Sequence, residues 1–250
     1  MGRFDNIKFR ASSVGRLMIE PQKKSEALSE TTKKYLIEAY IHEMYRRKKD
    51  ISSKYLEKGT TVEEDSITLY SRFKGVFLRK NERKYEGAFF SGTPDCVTDI
   101  VIDFKSSWDI FTFFDAKFGK QKPDYYWQMQ VYMHLTGLES ATLAYCLVNT
   151  PTHLVKAEQR KLLYKVGDTM GEAAIIRKTQ EIERNMTFDD IAISERVHEI
   201  EIKRNESDID RLIERVKQCR EYMNQNFQTN ENTTNTRRSQ PNAGCARRVD

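Results

Sequence analysis

Between Thr31 and Lys49 the apolar side chains Leu36, Ile37, Tyr40, Ile41, Met44 and Tyr45 return every three or four positions, which places them along one side of a helix. A second helix is expected over Val62 to Phe73. The period then shortens. Gly87 to Val97 and Ile100 to Ser106 are short runs of Phe, Val and Ile around Pro94, separated by the turn-forming Thr98-Asp99, and together they read as a hairpin. Pro123-Asp124 opens a helix that ends near Gly137, since Pro suits a first turn, Asp caps it and Gly suits the exit. A buried strand follows over Ala141 to Val148, then a helix over Lys165 to Asn185 and a strand over Arg196 to Lys203. The last helix, Ser207 to Asn226, carries Ile209, Leu212, Ile213, Val216 and Met223 on one face.

That order, helix–helix–hairpin–helix–strand–helix–strand–helix, predicts an α/β fold: a mixed sheet flanked by helices, with a helical N-terminal third. Residues 1–227 are expected to form one domain, with 1–85 mainly helical and 86–227 carrying the sheet and its flanking helices. Gln228 to Asp250, rich in Asn, Thr, Arg and Gln, is expected to be a disordered tail. The length of 250 residues and a 38% hydrophobic content allow a sizeable core.

Composition narrows the classes. No run approaches the roughly 18 apolar residues that span a bilayer, and Met1-Gly2-Arg3-Phe4-Asp5 lacks a signal-peptide core, so no membrane association and a cytoplasmic location are expected. Cys96, Cys146, Cys219 and Cys245 form no Cys-x-x-Cys pair, which argues against zinc or an iron–sulfur cluster and for reduced, mostly buried thiols. Lysine plus arginine exceed aspartate plus glutamate by 42 to 37, a balance that permits a polyanionic partner without demanding one.

The chemistry concentrates in the hairpin. Along Ile100-Val101-Ile102-Asp103-Phe104-Lys105 the strand period puts Ile100, Ile102 and Phe104 on one face and Asp103 with Lys105 on the other. Asp95, after Pro94 on the partner strand, can reach the same place. Carboxylates are the ligands that hard divalent cations prefer, and an adjacent ammonium can orient a water or meet developing negative charge.

Pro94-Asp95, seven residues, then Asp103-x-Lys105 resembles the motif of the PD-(D/E)XK nuclease superfamily. Two flanking stretches resemble its YqaJ and phage lambda exonuclease-like branch. Upstream, Gly59-Thr60-Thr61-Val62-Glu63 is similar to that branch's Gly-x-x-x-Glu. Downstream, Gln128-Met129-Gln130-Val131-Tyr132 is similar to its Gln-x-Gln helix and to the Gln-x-x-x-Tyr of RecB-type nucleases. Ser91-Gly92-Thr93-Pro94-Asp95 and Lys105-Ser106-Ser107 extend the likeness, with Gly92 giving the backbone room to bend.

The resemblance implies a metal-dependent deoxyribonuclease with Glu63, Asp95, Asp103, Lys105 and Gln128 as catalytic residues. Mg²⁺ or Mn²⁺ would be held by Glu63, Asp95, Asp103 and the backbone carbonyl of Phe104. It also implies an exonuclease on double-stranded DNA ends in phage-type recombination, working in the host cytoplasm if phage-encoded. A single-strand annealing protein and further copies of the chain are then possible partners. Arg10, Ser12 and Tyr132 are DNA-contact candidates, Arg10 and Ser12 because their segment is similar to the place where such enzymes gather a 5′-phosphate.

Plainer readings stand beside these. Glu63-Glu64-Asp65 fits a solvated first helical turn, and Asp103 with Lys105 fits an exposed cross-strand pair. Gln128 fits a surface position and Tyr132 a core one, as do Gln130 on the surface and Tyr125 and Trp127 in the core. His42 is an alternate metal ligand to Glu63, as in some RecB-type relatives. The basic runs at Arg46-Arg47-Lys48-Lys49, Arg79-Lys80, Arg83-Lys84 and Lys117 to Lys122 suit either a DNA groove or helix ends. A RecB- or Cas4-like repair or CRISPR nuclease, a nicking endonuclease and a non-catalytic DNA-binding module on the same fold remain as alternatives.

Overall fold

The computed structural model describes residues 2–50, 52–166 and 169–227. The expected disordered tail, Gln228 to Asp250, lies outside the described residues.

Four strands make the central sheet, in the order β4 (Cys96–Val97), β5 (Val101–Ser106), β6 (Ser140–Cys146) and β7 (Val197–Lys203). β4 and β7 run antiparallel to their neighbours, while β5 and β6 are parallel, Asp103 opposite Leu143 and Lys105 opposite Tyr145. A parallel pair needs a crossover. It is supplied by α4 (Ile110–Phe118) and α5 (Pro123–Thr136). A smaller sheet joins β1 (Phe9–Arg10) to β3 (Phe90–Gly92) and β2 (Tyr85–Glu86).

Alternation along the strands divides the core. From β5 and β6, Val101, Ala141, Leu143 and Tyr145 pack with Met129 and Met133 of α5 and with α8 (Glu206–Asn226), α1 (Glu30–Tyr45) and the N-terminal segment. Ile102, Phe104, Ala144 and Cys146 point the other way, onto Val62, Ile67 and Tyr70 around α3 (Glu63–Lys74). Tyr70 meets Phe104 edge to face at 5.3 Å. Helices thus cover both faces, as expected.

Local chemistry sets the helix ends. Ser29, Asp109 and Asn205 cap α1, α4 and α8 by accepting a backbone N–H three residues on. Gly75 and Gly137, at φ of 67° and 76°, end α3 and α5 in the left-handed region where a side chain would be strained. α1 stops at Tyr45, four residues before the expected Lys49, with Arg46 turning left-handed ahead of the basic run.

Several expectations need correction. The first arm of the expected hairpin, Gly87 to Val97, is two strands in two sheets, because Pro94 interrupts the ladder, while its end, β4, pairs antiparallel with β5 as expected. A short helix α2 (Lys54–Thr61), α4, and a 3₁₀ turn over Ala11–Arg16 stand where no element is expected: α2 and the turn are too short to mark themselves, and α4 carries rings on both its core and its solvent sides. The single helix over Lys165 to Asn185 is in fact α6 (Thr152–Val166) and α7 (Glu172–Met186), antiparallel neighbours, with Gly171 as the N-cap of the second. Gln130 is wholly buried. Its amide donates to the Lys203 carbonyl at 2.8 Å and accepts from Asn205 N–H at 2.9 Å, fastening α5 to the turn between β7 and α8. Cys96, Cys146 and Cys219 are free and buried, and Cys245 lies outside the described residues. No helix among the described residues is long and apolar enough to cross a membrane.

Candidate active site

The C-terminal half of β5 opens onto a cavity of about 970 Å³ between α2, α4 and α5. Asp103 and Lys105 stand on its floor, with Glu63, Asp95, Ser12, Gln128 and Tyr132 on its walls. The exposed-pair reading of Asp103 fails, since its side chain is 2% exposed.

Asp95 is fixed from both sides of its own backbone. Its Oδ2 accepts the Phe104 N–H at 2.7 Å, a β5 donor just past the residues that β4 pairs. Its carbonyl accepts Asn81 N–H at 2.7 Å, and the Asn81 amide donates to the Pro94 carbonyl at 2.9 Å. Asn81 is a supporting residue that the motif does not mark. Its local signal was an Asn within a polar turn, and its side chain also accepts the Arg83 N–H.

Lys105 Nζ lies 2.5 Å from Asp103 Oδ2, 3.4 Å from Gln128 Oε1 and 4.7 Å from the centre of the Tyr125 ring. Gln128 uses its other end too, donating to Asp103 Oδ1 at 3.2 Å and to the Tyr132 hydroxyl at 3.0 Å. Tyr132 in turn donates to the Thr93 carbonyl at 3.3 Å. A chain of hydrogen bonds therefore runs from β5 through α5 to the segment preceding Asp95. Gln128 and Tyr132 are both about 5% exposed, so the surface reading of Gln128 does not hold.

Burial pushes the Asp95 carboxyl up to about 8, reinforced by the Asp103 charge and opposed by the Phe104 N–H. Burial alone would lower Lys105, but Asp103 outweighs it and the ammonium is raised. Asp103 Oδ2 has Lys105 beside it yet no partner in hydrogen-bond geometry. Two crowded, buried carboxylates, one oxygen of which meets only the Lys105 ammonium, are the kind of donor that would suit a hard divalent cation. Glu63, on the same cavity wall and close enough for its charge to act on Asp95, has its Oε1 paired with Lys80 at 3.1 Å. Among the described residues no three His, Cys, Asp or Glu side chains come together as a ready ligand group. Glu63 thus shares the cavity with the two aspartates but is held there by Lys80, in the segment between α3 and β2, which supplies a competing charge.

The remaining candidates divide. Ser12 lies on the cavity wall, whereas Arg10 is exposed on β1, outside the cavity lining, and its charge acts on the Tyr132 and Tyr35 hydroxyls. His42 is exposed in the last turn of α1, away from the cavity lining. Gly92 sits at negative φ: a Cβ there would meet the Tyr132 ring at 2.6 Å, so close approach, not bending, requires it. Sequence reasoning missed Lys58 of α2, 1% exposed, whose ammonium donates to the Trp108 carbonyl at 3.0 Å just beyond β5. A charged residue on a polar helix gives no signal of burial.

No family model and no curated protein matches the chain. Among solved structures it is similar to a phage-related exonuclease from Haemophilus somnus 129PT, at 25% identity and a TM-score of 0.69, over 88% of this chain and 95% of that one. It also shares the fold of an alkaline exonuclease, LHK-Exo, from Laribacter hongkongensis, at 17% identity and a TM-score of 0.59, over 87% and 90% of the two chains. The same enzyme in complex with dAMP matches equally. In its mixed sheet and in the order of its motifs, the chain resembles the PD-(D/E)XK nuclease superfamily, in its YqaJ and phage lambda exonuclease-like branch.

Proposed function

We propose that this chain is a metal-dependent deoxyribonuclease that hydrolyses phosphodiester bonds, acting as an exonuclease on double-stranded DNA ends in phage-type recombination. The observation that carries the reading is the meeting of Asp95, Asp103, Lys105 and Gln128 in one cavity, in a fold shared with exonucleases.

Asp95, Asp103, the Phe104 carbonyl and Glu63, once released from Lys80, would hold Mg²⁺ or Mn²⁺. When bound, such an ion neutralises charge on the scissile phosphate and acidifies a water. The protein's own groups do the rest. Lys105, kept cationic by Asp103, presents an ammonium where the attacking water and the phosphate oxygens meet. Gln128 holds Asp103 and Lys105 in fixed relation through its two amide ends. The β5 main chain, braced by Asp95, sets the height of both side chains. A product strand left by such resection would suit a single-strand annealing partner, and a processive enzyme gains from association of several copies.

The test offers linear duplex DNA labelled at either the 5′ or the 3′ end, alongside covalently closed circles, with Mg²⁺ or EDTA. Loss of label from linear DNA only, and only with Mg²⁺, is expected. Cutting of circles would refute the exonuclease mode, and full activity of both Asp103→Ala and Lys105→Ala would refute the site. Binding without cutting under any divalent cation would leave a DNA-binding module.

A further inference from the structure

Lys105 shares the Tyr125 ring with a second cation: Lys122 Nζ lies 5.7 Å from the same centre. Lys122 and Lys120 line the cavity on the side of α4. Beyond them Lys117 Nζ stands 5.7 Å from the rings of both Phe114 and Phe118, which stack on each other at 5.7 Å and 21°. Rings and ammonium groups therefore alternate from the catalytic floor to the outer face of α4.

That face is unusual in its exposure. Phe113 anchors α4 in the core and is wholly buried, while Phe111, Phe114 and Phe118 are 69%, 39% and 77% exposed. Positions 111, 114 and 118 follow one side of a helix, so the three rings form one stripe. On the neighbouring side Thr112, Asp115 and Ala116 line the cavity, which makes the stripe continuous with it. Between Ile110 and Lys122 one acid, Asp115, faces three lysines, and none of these lysines has a carboxylate partner among the described residues.

We infer that the α4 stripe with Lys117, Lys120 and Lys122 is a stacking platform for an unpaired stretch of nucleic acid strand that adjoins the cavity. Bases stack on exposed rings whatever their sequence, and unneutralised lysines follow the phosphates. Three lysines without carboxylate partners among the described residues favour a polyanion as the occupant over a second copy of this chain. The inference rests on the proposed action on DNA, but it concerns binding outside the catalytic residues.

The experiment measures fluorescence anisotropy of a labelled thymidine oligonucleotide and of a blunt duplex in EDTA, which prevents cutting. It compares the wild-type chain, Phe114→Ala/Phe118→Ala, Lys117→Gln and, as a control, Phe77→Ala, whose ring is 82% exposed beyond α3. Each stacked base lost should weaken single-strand binding about fivefold or more. Lys117→Gln should reduce the slope of log affinity against log salt by about 0.7, and Phe77→Ala should change neither. Unchanged single-strand affinity in the double variant overturns the platform. So does a wild-type oligomer that the double variant dissolves, seen by light scattering, for then the stripe joins two copies. If the platform variants lose single-strand binding while wild type never cuts linear duplex with Mg²⁺, the inference stands and the nuclease reading falls. If wild type cuts and the double variant binds normally, the reverse holds.

Discussion

Replacing Lys58 with Met should make the protein more stable at low pH and progressively less advantaged as pH rises. The ammonium is 1% exposed, and its neighbours are the Trp108 carbonyl and the rings of Trp108 and Phe188, 5.9 and 5.4 Å away. Burial lowers the amine from 10.5 to about 7, with Asp109 opposing the shift weakly. Between those two values the unfolded chain binds the proton that the native chain releases, so stability rises with pH across that window. Below about 7 both states are protonated and the whole penalty of burying the charge is present; above 10.5 both are neutral and it is gone.

At 1.36 kcal/mol per unit, the penalty is about 5 kcal/mol near pH 6 and about 1 kcal/mol near pH 9.5. Met removes it at every pH and keeps most of the volume. It also leaves the Trp108 carbonyl without its donor, a loss of about 1–3 kcal/mol that does not vary with pH. Urea unfolding of the two proteins from about pH 6 to about pH 9.5 should therefore show the advantage of Met shrinking by about 3–4 kcal/mol. Groups common to both proteins cancel in the difference. A difference that stays flat over that range would show that Lys58 ionises normally and that the burial argument is wrong.

Three further outcomes follow from the same contacts. Gly92→Ala places a Cβ 2.6 Å from the Tyr132 ring and 3.0 Å from Ala11 Cβ, and should lower stability by about 1–3 kcal/mol in urea unfolding, whereas Gly59→Ala, with nothing within 4 Å, should lose none of it to crowding. Gln128→Ala should keep the fold by circular dichroism and reduce single-turnover DNA cleavage about 10- to 100-fold, because Asp103 and Lys105 lose the group that holds them together. Lys80→Ala frees Glu63 and should raise apparent Mg²⁺ affinity in a cleavage titration; no change would show that Glu63 takes no part in holding the ion.

What could be read in advance depended on whether the signal was local. β5 declares itself because alternation puts Asp103 and Lys105 on one face within three residues, and the Pro94-Asp95 pair reaches them through one antiparallel turn. Gln128 and Tyr132 are legible for the same reason, being one helical turn apart. α4 is not, because its rings point to both the core and the solvent: Phe113 inward and Phe111, Phe114 and Phe118 outward give no single apolar face. Lys58, Gln130 and Asn81 are hidden because each polar group answers a backbone carbonyl that is distant in sequence, Trp108, Lys203 and Pro94 respectively. The exposed aromatic stripe is the reverse case. A core helix has reason to turn its rings inward, so three rings left outward beside unpaired lysines and the candidate active-site cavity are a cost to solubility that a ligand-binding role explains and packing does not.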